Sequence, residues 1–361
     1  MTFHYFNPEH DIALAMNTSQ FTAPIAARQM RSDLGYIPAL WATKGDCVIV
    51  DNVEAAIKSY NEHQLALQSE VNFITLSQLP QMIDGKRIVD IQPWGWDKAL
   101  CHRLRQAGVP DDSLPTIRQL NKIRNLSNRS LAVRLLDKLQ GMDGITGFSR
   151  LCDTYEQVLL FLDQNRNIVV KAPWSCSGRG IRYIDVETVN ENSLHWIVNT
   201  LEKQRSVVAE KRCDKVQDFA VLFNTDKLGN VKYYGLSVFS TSNGAYTGNL
   251  IASDKAKKDY ICQHISEDLL HSVIKQIEAF LTEQNDGAYR GCLGVDMMIC
   301  ATHDSGKYLL NPCIEINMRR TMGHLALALA RRGQRGTMNF TFENGIHKLT
   351  LSNETPIDVK A

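Results

Sequence analysis

Asp296 is the one acid in the apolar run Gly294-Val295-Asp296-Met297-Met298, and a later run reads Ile314-Glu315-Ile316-Asn317-Met318-Arg319-Arg320. Glu315 and Asn317 are two residues apart, so on a strand their side chains share a face. If the strand carrying Asp296 lies beside them, two carboxylates and an amide oxygen converge. That is a hard, oxygen-only donor set, suited to Mg²⁺ that also holds phosphates. Arg319 extends the same face with a planar donor for anions. The competing reading is a half-buried strand pair whose acids meet Arg319 and Arg320 as salt bridges, since acids in apolar strands are uncommon unless paired.

Upstream, Val169-Val170-Lys171-Ala172-Pro173-Trp174-Ser175-Cys176-Ser177-Gly178-Arg179-Gly180-Ile181 puts a lysine on a strand edge before a loop of small residues. Such a loop lets backbone N–H groups approach a phosphate while the ammonium supplies charge. It is not a Walker loop, because no Gly-Lys-Ser/Thr closes it; a solvated hairpin turn would read the same way. Between these segments, Val207-Val208-Ala209-Glu210-Lys211-Arg212-Cys213 reads as an apolar strand running to an exposed Glu210, with Asp218 beyond it. The two could supply backbone contacts to a purine and a carboxylate to a ribose, or simply form a strand end with a charged turn.

Other residues are less legible. Asn7, Glu9, His10 and Asp11 fall in a strand-to-helix loop that could contribute substrate groups or only serve a helix start. Trp94-Gly95-Trp96-Asp97 could form an aromatic wall or pack between domains. Tyr246 and Asn249 are candidates for a cleft floor. Cys176 has no histidine close in sequence to activate it and reads as a filler, and His324 reads as a helix-start residue.

The elements that must position these groups alternate in the first third. Strand-like runs at residues 3–6, 47–50, 71–76 and 87–91 enclose helical stretches such as 53–70, which implies a parallel sheet wound by crossover helices. Ligands of such sheets sit beyond the carboxyl ends of the strands, which singles out residues 7–11 and 92–97. Two prolines and three polar residues in Val109-Pro110-Asp111-Asp112-Ser113-Leu114-Pro115 mark a domain boundary. A helix follows, capped by Ser127 or Asn128, carrying Leu131, Leu135 and Leu139 and ended by Gly141 and Gly144. Strands are expected at 168–172, 207–210, 219–223, 231–238, 294–300 and 308–317, with helices at 267–283 and 323–331. Residues 338–351 alternate like a hairpin turning at Asn344-Gly345. No internal repeat or low-complexity segment is visible.

Composition narrows the classes. Of 361 residues 44% are hydrophobic and 22% charged, which excludes a disordered or collagen-like chain. Forty Lys and Arg balance 39 Asp and Glu, so no broad basic field is available for nucleic acid. The apolar stretches are far shorter than the roughly 20 residues of a spanning helix, and the first residues carry no secretory signal. Nine cysteines without a Cys-x-x-Cys pair favour reduced thiols in a cytoplasmic protein.

The order of the pieces resembles the ATP-grasp superfamily from about Arg118 to Arg331: lysine with small-residue loop, apolar strand to Glu, strand with embedded Asp, then Glu-x-Asn-x-Arg. The resemblance implies a mixed α/β chain, with a small parallel-sheet α/β domain (residues 1–115) before two α+β lobes (116–210 and 211–361, the second with a C-terminal β extension). It implies that Lys171 and Arg129 contact ATP phosphate, Lys171 also reaching adenine, and that Ser177, Gly178 and Gly180 belong to a loop over the phosphates. Glu210, Lys211 and Cys213 would hold the adenine edge and Asp218 the ribose. Asp296, Glu315 and Asn317 would bind Mg²⁺ or Mn²⁺, and Arg319 would steady the transferred phosphoryl group. Departures from the pattern are Ala172 and Met318, where proline is common, and Arg129, where lysine is common. The implied function is an ADP-forming ligase that activates a small-molecule or peptide carboxylate and joins it to an amine or similar nucleophile. A kinase or a non-catalytic nucleotide-binding scaffold is the alternative; neither nucleic acid nor membrane is an expected partner, and a homodimer is.

Overall fold

The computed structural model describes residues 1–62, 70–175, 180–242, 244–302, 304 and 306–353. Ser177 and Gly178 therefore lie outside the described residues, as do Cys176 and the end of the helical stretch expected to reach residue 70.

The first elements alternate as expected: β1 (Thr2–Tyr5), α1 (His10–Met16), α2 (Ile25–Leu34), β2 (Cys47–Ile49), α3 (Val53–Glu62), β3 (Asn72–Ile74), α4 (Leu79–Ile83), β4 (Asp90–Pro93) and α5 (Lys98–Gln106). The strands line up as β3-β2-β1-β4, each pair parallel. The chain winds one way from β1 through β3 and then returns to the other side of β1 with β4. The crevice between the carboxyl ends of β1 and β4 is thus a switch point, where open parallel sheets place functional loops.

Two helices follow, α6 (Ile117–Leu126) and α7 (Ser130–Leu139). Thr116 and Gln119 form a capping box on α6. The expected cap of α7 is displaced: Arg129 occupies the N-cap without a side-chain bond to the helix N–H groups, and Asn128 Oδ1 instead accepts from Ser130 N–H at 2.8 Å. Leu131, Leu135 and Leu139 are buried, as their spacing requires.

A small antiparallel sheet is built from β5 (Ser149–Cys152), α8 (Tyr155–Asn165), β6 (Asn167–Lys171), β7 (Ile181–Asp185), α9 (Glu191–Gln204) and β8 (Val207–Lys211), with strand order β5-β8-β6-β7. Its own core holds Phe161, Ile168, Val170, Ile197 and Val207.

The remaining elements are β9 (Lys215–Thr225), β10 (Val231–Ser242), β11 (Ala245–Ile251), α10 (Asp254–Ile261), α11 (Glu267–Asn285), β12 (Cys292–Ala301), β13 (Tyr308–Asn317), α12 (Met322–Arg331), β14 (Gly336–Glu343) and β15 (Ile346–Ser352). They form a 7-stranded antiparallel sheet, β13-β12-β9-β10-β11-β14-β15. Asn344 and Gly345, at φ 52° and 79°, make the expected two-residue turn of the last hairpin. Its core is continuous with that of the first sheet through α6 and α7, so Leu104, Leu120, Leu135, Ile277 and Val295 belong to one cluster. Among the described residues no helix is long and apolar enough to cross a membrane.

Candidate functional site

The register of β12 and β13 decides where the acids go. Asp296 pairs with Glu315 and Gly294 with Asn317, and directly paired residues point to the same face. Asp296, Glu315 and Asn317 therefore share one face at the end of β13. Asn317 Nδ2 donates to Asp296 Oδ2 at 3.1 Å. Burial, and after it the charge of Glu315, pushes the Asp296 carboxyl up to about 7. A divalent cation between two such carboxylates would offset both causes, and the donors are all oxygen, so the residues present fit Mg²⁺ or Mn²⁺.

Three cationic side chains surround this face, each held by an acid. Arg129 Nη1 donates to Ala172 O at 2.5 Å and to Ser175 Oγ at 2.6 Å, while Nη2 donates to Glu315 Oε1 at 2.6 Å. Its Nε is buried without a partner among the described residues. Lys171 Nζ lies 2.7 Å from Glu210 Oε2 and donates to Ile314 O at 3.0 Å. This lysine crosses from the small sheet to β13, the edge strand of the large one. Arg319 Nε and Nη2 grip both oxygens of Asp11 at 2.9–3.1 Å. Burial alone would raise the Asp11 pKa, but the charges of Arg319, His10 and Arg129 hold it below the usual carboxylate range. A cavity beside Arg129 is lined also by Asp11, Ser127, Trp174, Ser175, Glu315 and Asn317.

No family model and no curated protein sequence matches the chain. Among solved structures, pyruvate carboxylase from Rhizobium etli superposes with a TM-score of 0.50 at 15% identity, over 92% of this chain and 27% of that one. N5-carboxyaminoimidazole synthetase from Staphylococcus aureus, complexed with ADP, matches with a TM-score of 0.49 at 12% identity, over 95% of this chain and 83% of that one. A RimK domain ATP-grasp protein from Sphaerobacter thermophilus matches with a TM-score of 0.40 at 14% identity, over 79% and 97%. The match at a TM-score of 0.50 shows a shared fold.

On this fold, Lys171, Arg129, Asp296, Glu315, Asn317 and Arg319 gather at one end of β13, and one expectation needs correction. Glu210 is not the exposed strand-end acid that its apolar run suggested, because it turns inward to meet Lys171, its side chain only 15% exposed. Asp218 stands opposite Met298, two residues from the Ala220–Asp296 pair and so on the Asp296 face. Its Oδ2 is taken by Lys215 Nζ at 2.7 Å and Thr241 Oγ1 at 2.8 Å. Lys211 closes β8, its N–H donating to Phe148 O at 2.9 Å, and the Cys213 thiol donates to Lys211 O at 3.7 Å. Gly180 O accepts from Ala172 N–H at 2.9 Å, and a Cβ at Gly180 would lie 2.0 Å from Ser175 Oγ, so Gly180 sits hard against Ala172 and Ser175.

In the first-sheet loops, read as substrate groups or as a helix start, three polar residues are withdrawn from solvent. Asn7, His10 and Asp97 are buried: Asn7 Nδ2 donates to Gly95 O and Asp97 Oδ2 at 2.8 and 3.2 Å, and His10 Nδ1 faces Asp97 Oδ2 at 3.5 Å. Trp94 packs edge-on against Phe6 inside the protein, so it forms no exposed wall. Tyr246 OH donates to Asn249 Oδ1 within the large sheet, on a strand, β11, that sequence reasoning missed. His324 keeps the helix-start role, since its Nδ1 accepts from Thr321 N–H at 3.2 Å. Ser175, part of the small-residue loop, lines the cavity, and so does Ser127, which the sequence offered only as a helix cap.

Proposed function

We propose that the chain is an ADP-forming ligase. What carries the reading is the single face on which Asp296, Glu315 and Asn317 meet, with Arg129 lining the cavity beside Glu315 and Asn317, and Arg319 held by Asp11, which lines it too. ATP would transfer its γ-phosphoryl group to a substrate carboxylate, breaking the terminal P–O bond and giving ADP and an acyl phosphate. An amine or similar nucleophile would then attack the acyl carbon; the C–O bond to phosphate breaks, and the nucleophile loses a proton. Asp296, Glu315 and Asn317 would hold Mg²⁺, which when bound neutralises phosphate charge. Lys171 and Arg129 would bind and orient phosphate oxygens, and Arg319 would stabilise charge on the group in transit. Gly180 and the loop before it, with Glu210 to Cys213 and Asp218, would complete the nucleotide site, and the division at residues 115 and 210 would give the two lobes that enclose it.

Thermal unfolding with and without ATP and Mg²⁺ tests the nucleotide step. Ligand at about a hundred times its dissociation constant adds roughly 2.7 kcal/mol to the folded state. A metal-dependent rise in Tm, lost in Glu315→Ala, is expected; no rise in the well-folded wild type would overturn the reading. Carboxylate and amine pairs that release ADP plus phosphate would identify the substrates, and substantial ADP formation by Asp296→Ala or Glu315→Ala would sink the metal assignment.

A further inference from the structure

Arg319 is held by a residue more than three hundred positions away in sequence. Its guanidinium fork spans the Asp11 carboxylate, Nε to both oxygens at 3.1 Å and Nη2 to Oδ2 at 2.9 Å, while Nη1 donates to Arg320 O at 3.3 Å. Both terminal nitrogens keep a further N–H for an oxyanion. The neighbouring residue is gripped as well: Arg320 N–H donates to Trp94 O at 2.9 Å, and its guanidinium stacks 4.5 Å over Trp41. The segment after β13 is thus seated on the loops of the first sheet.

Those loops are built to be stiff. Asn7 exchanges hydrogen bonds with Gly95 in both directions, 2.8 and 3.2 Å, and Asp97 Oδ1 caps α5 by accepting from Leu100 N–H at 2.8 Å. Glu9, only 2% exposed, accepts from Arg31 Nη1 at 2.5 Å and Arg103 Nη2 at 3.2 Å. A Cβ on Gly95 would lie 2.6 Å from the His10 ring, so the two loops touch without spare room. The network ends in Asp11, whose carboxylate alone among these acids lines the cavity with Glu315 and Asn317.

We propose that Asp11 is a positioning residue which, with the first-sheet loops behind it, fixes the Arg319 guanidinium for the γ-phosphoryl group. The inference rests on the ligase reading. A bidentate carboxylate sets both the plane and the rotation of a guanidinium, and preorganised charge stabilises a transferring group without reorganising during the reaction. The loops after β1 and β4 then act by holding the phosphoryl end of the site, and substrate need not touch Asn7, His10 or Asp97.

The test compares affinities for ADP and for the non-hydrolysable ATP analogue adenylyl imidodiphosphate, each with Mg²⁺, by calorimetry on the full chain. Asp11→Asn should weaken the analogue about tenfold, or roughly 1.4 kcal/mol, and leave ADP within about twofold. Arg319→Gln should show the same pattern, and the double variant should be no worse than Arg319→Gln, since coupled residues do not add. Asp11→Glu should recover much of the loss, and it serves as the readout if Asp11→Asn folds poorly. A purely structural contact would lower Tm in Asp11→Asn and leave the ratio of the two affinities unchanged, which overturns the positioning role alone. A wild type that binds neither nucleotide overturns the ligase reading and this inference with it.

Discussion

Replacing Lys171 by methionine removes a largely buried ammonium: its side chain is 6% exposed, and it serves Glu210 at 2.7 Å and Ile314 O at 3.0 Å. The variant leaves Glu210 largely buried without its cation and the edge carbonyl of β13 without its side-chain donor. Breaking a buried ion pair from one side costs about 3–5 kcal/mol. The Glu210 side chain keeps 15% exposure, so the low end applies, about 3 kcal/mol, with about 1 kcal/mol more for the carbonyl. At roughly 2 °C per kcal/mol for a large chain, Tm should fall by about 8 °C. Lys171→Met with Glu210→Leu removes both charges, and a hydrophobic pair can replace a buried ion pair at little cost. The double variant should therefore be more stable than Lys171→Met alone, by about 2 kcal/mol. Thermal and urea unfolding of the four proteins measure this cycle. A single variant within about 1 kcal/mol of wild type, or a double variant no better than the single, would refute the buried-pair argument. The double variant also separates folding from function, because a stable protein that has lost nucleotide binding would show that the ammonium itself is required.

Arg129→Lys keeps the charge but not the fork that reaches Ala172 O, Ser175 and Glu315 together; ATP affinity with Mg²⁺ should drop about tenfold by calorimetry, and an unchanged value would refute the assignment. Burial, and then Arg320, lowers the His324 pKa to about 3, so the folded state needs the neutral ring, and the stability it gives above pH 6.5 is lost as pH falls toward 3. Between pH 6.5 and 4.5 this one group should cost up to about 2.5 kcal/mol; His324→Gln should flatten the acid limb of Tm against pH, and an equal slope in both proteins would contradict the argument. Gly95→Ala should cost about 1–3 kcal/mol in urea unfolding because its Cβ meets the buried His10 ring at 2.6 Å, and a neutral outcome would mean the loops are slack.

The legible parts of this protein are those where local chemistry and long-range order agree. The 2-residue spacing of Glu315 and Asn317 forced a shared face on any strand, and β13 runs from Tyr308 to Asn317 as read. The hairpin turn at Asn344-Gly345 needed positive φ at both residues, which Asn and Gly accept. By contrast, β11 carries Gly248 and polar residues that weaken the strand pattern, and its pairing with β14 joins segments far apart in sequence. Glu210 looked exposed because a charged residue ending an apolar strand usually is; only the crossing of Lys171 between two sheets reverses that. Asp11 read equally as a substrate group or as part of a helix start, and nothing local in sequence could reveal a guanidinium arriving from beyond β13.

The last hairpin has a consequence for how the chain is made. Its β15 strand lies against α2: His347 N–H donates to Asp33 at 2.9 Å, and Leu34 shares a core with Met338 and Leu349. Synthesis at about 5–20 residues per second puts roughly 300 residues between the two, so α2 waits about 15–60 s on the ribosome before its cover emerges. During that interval the apolar side of α2 is open to chaperones and to neighbouring nascent chains. A chain that stops before Gly336 never closes it, and should be collected by cellular quality control even though the residues around Asp296 and Glu315 have already been made.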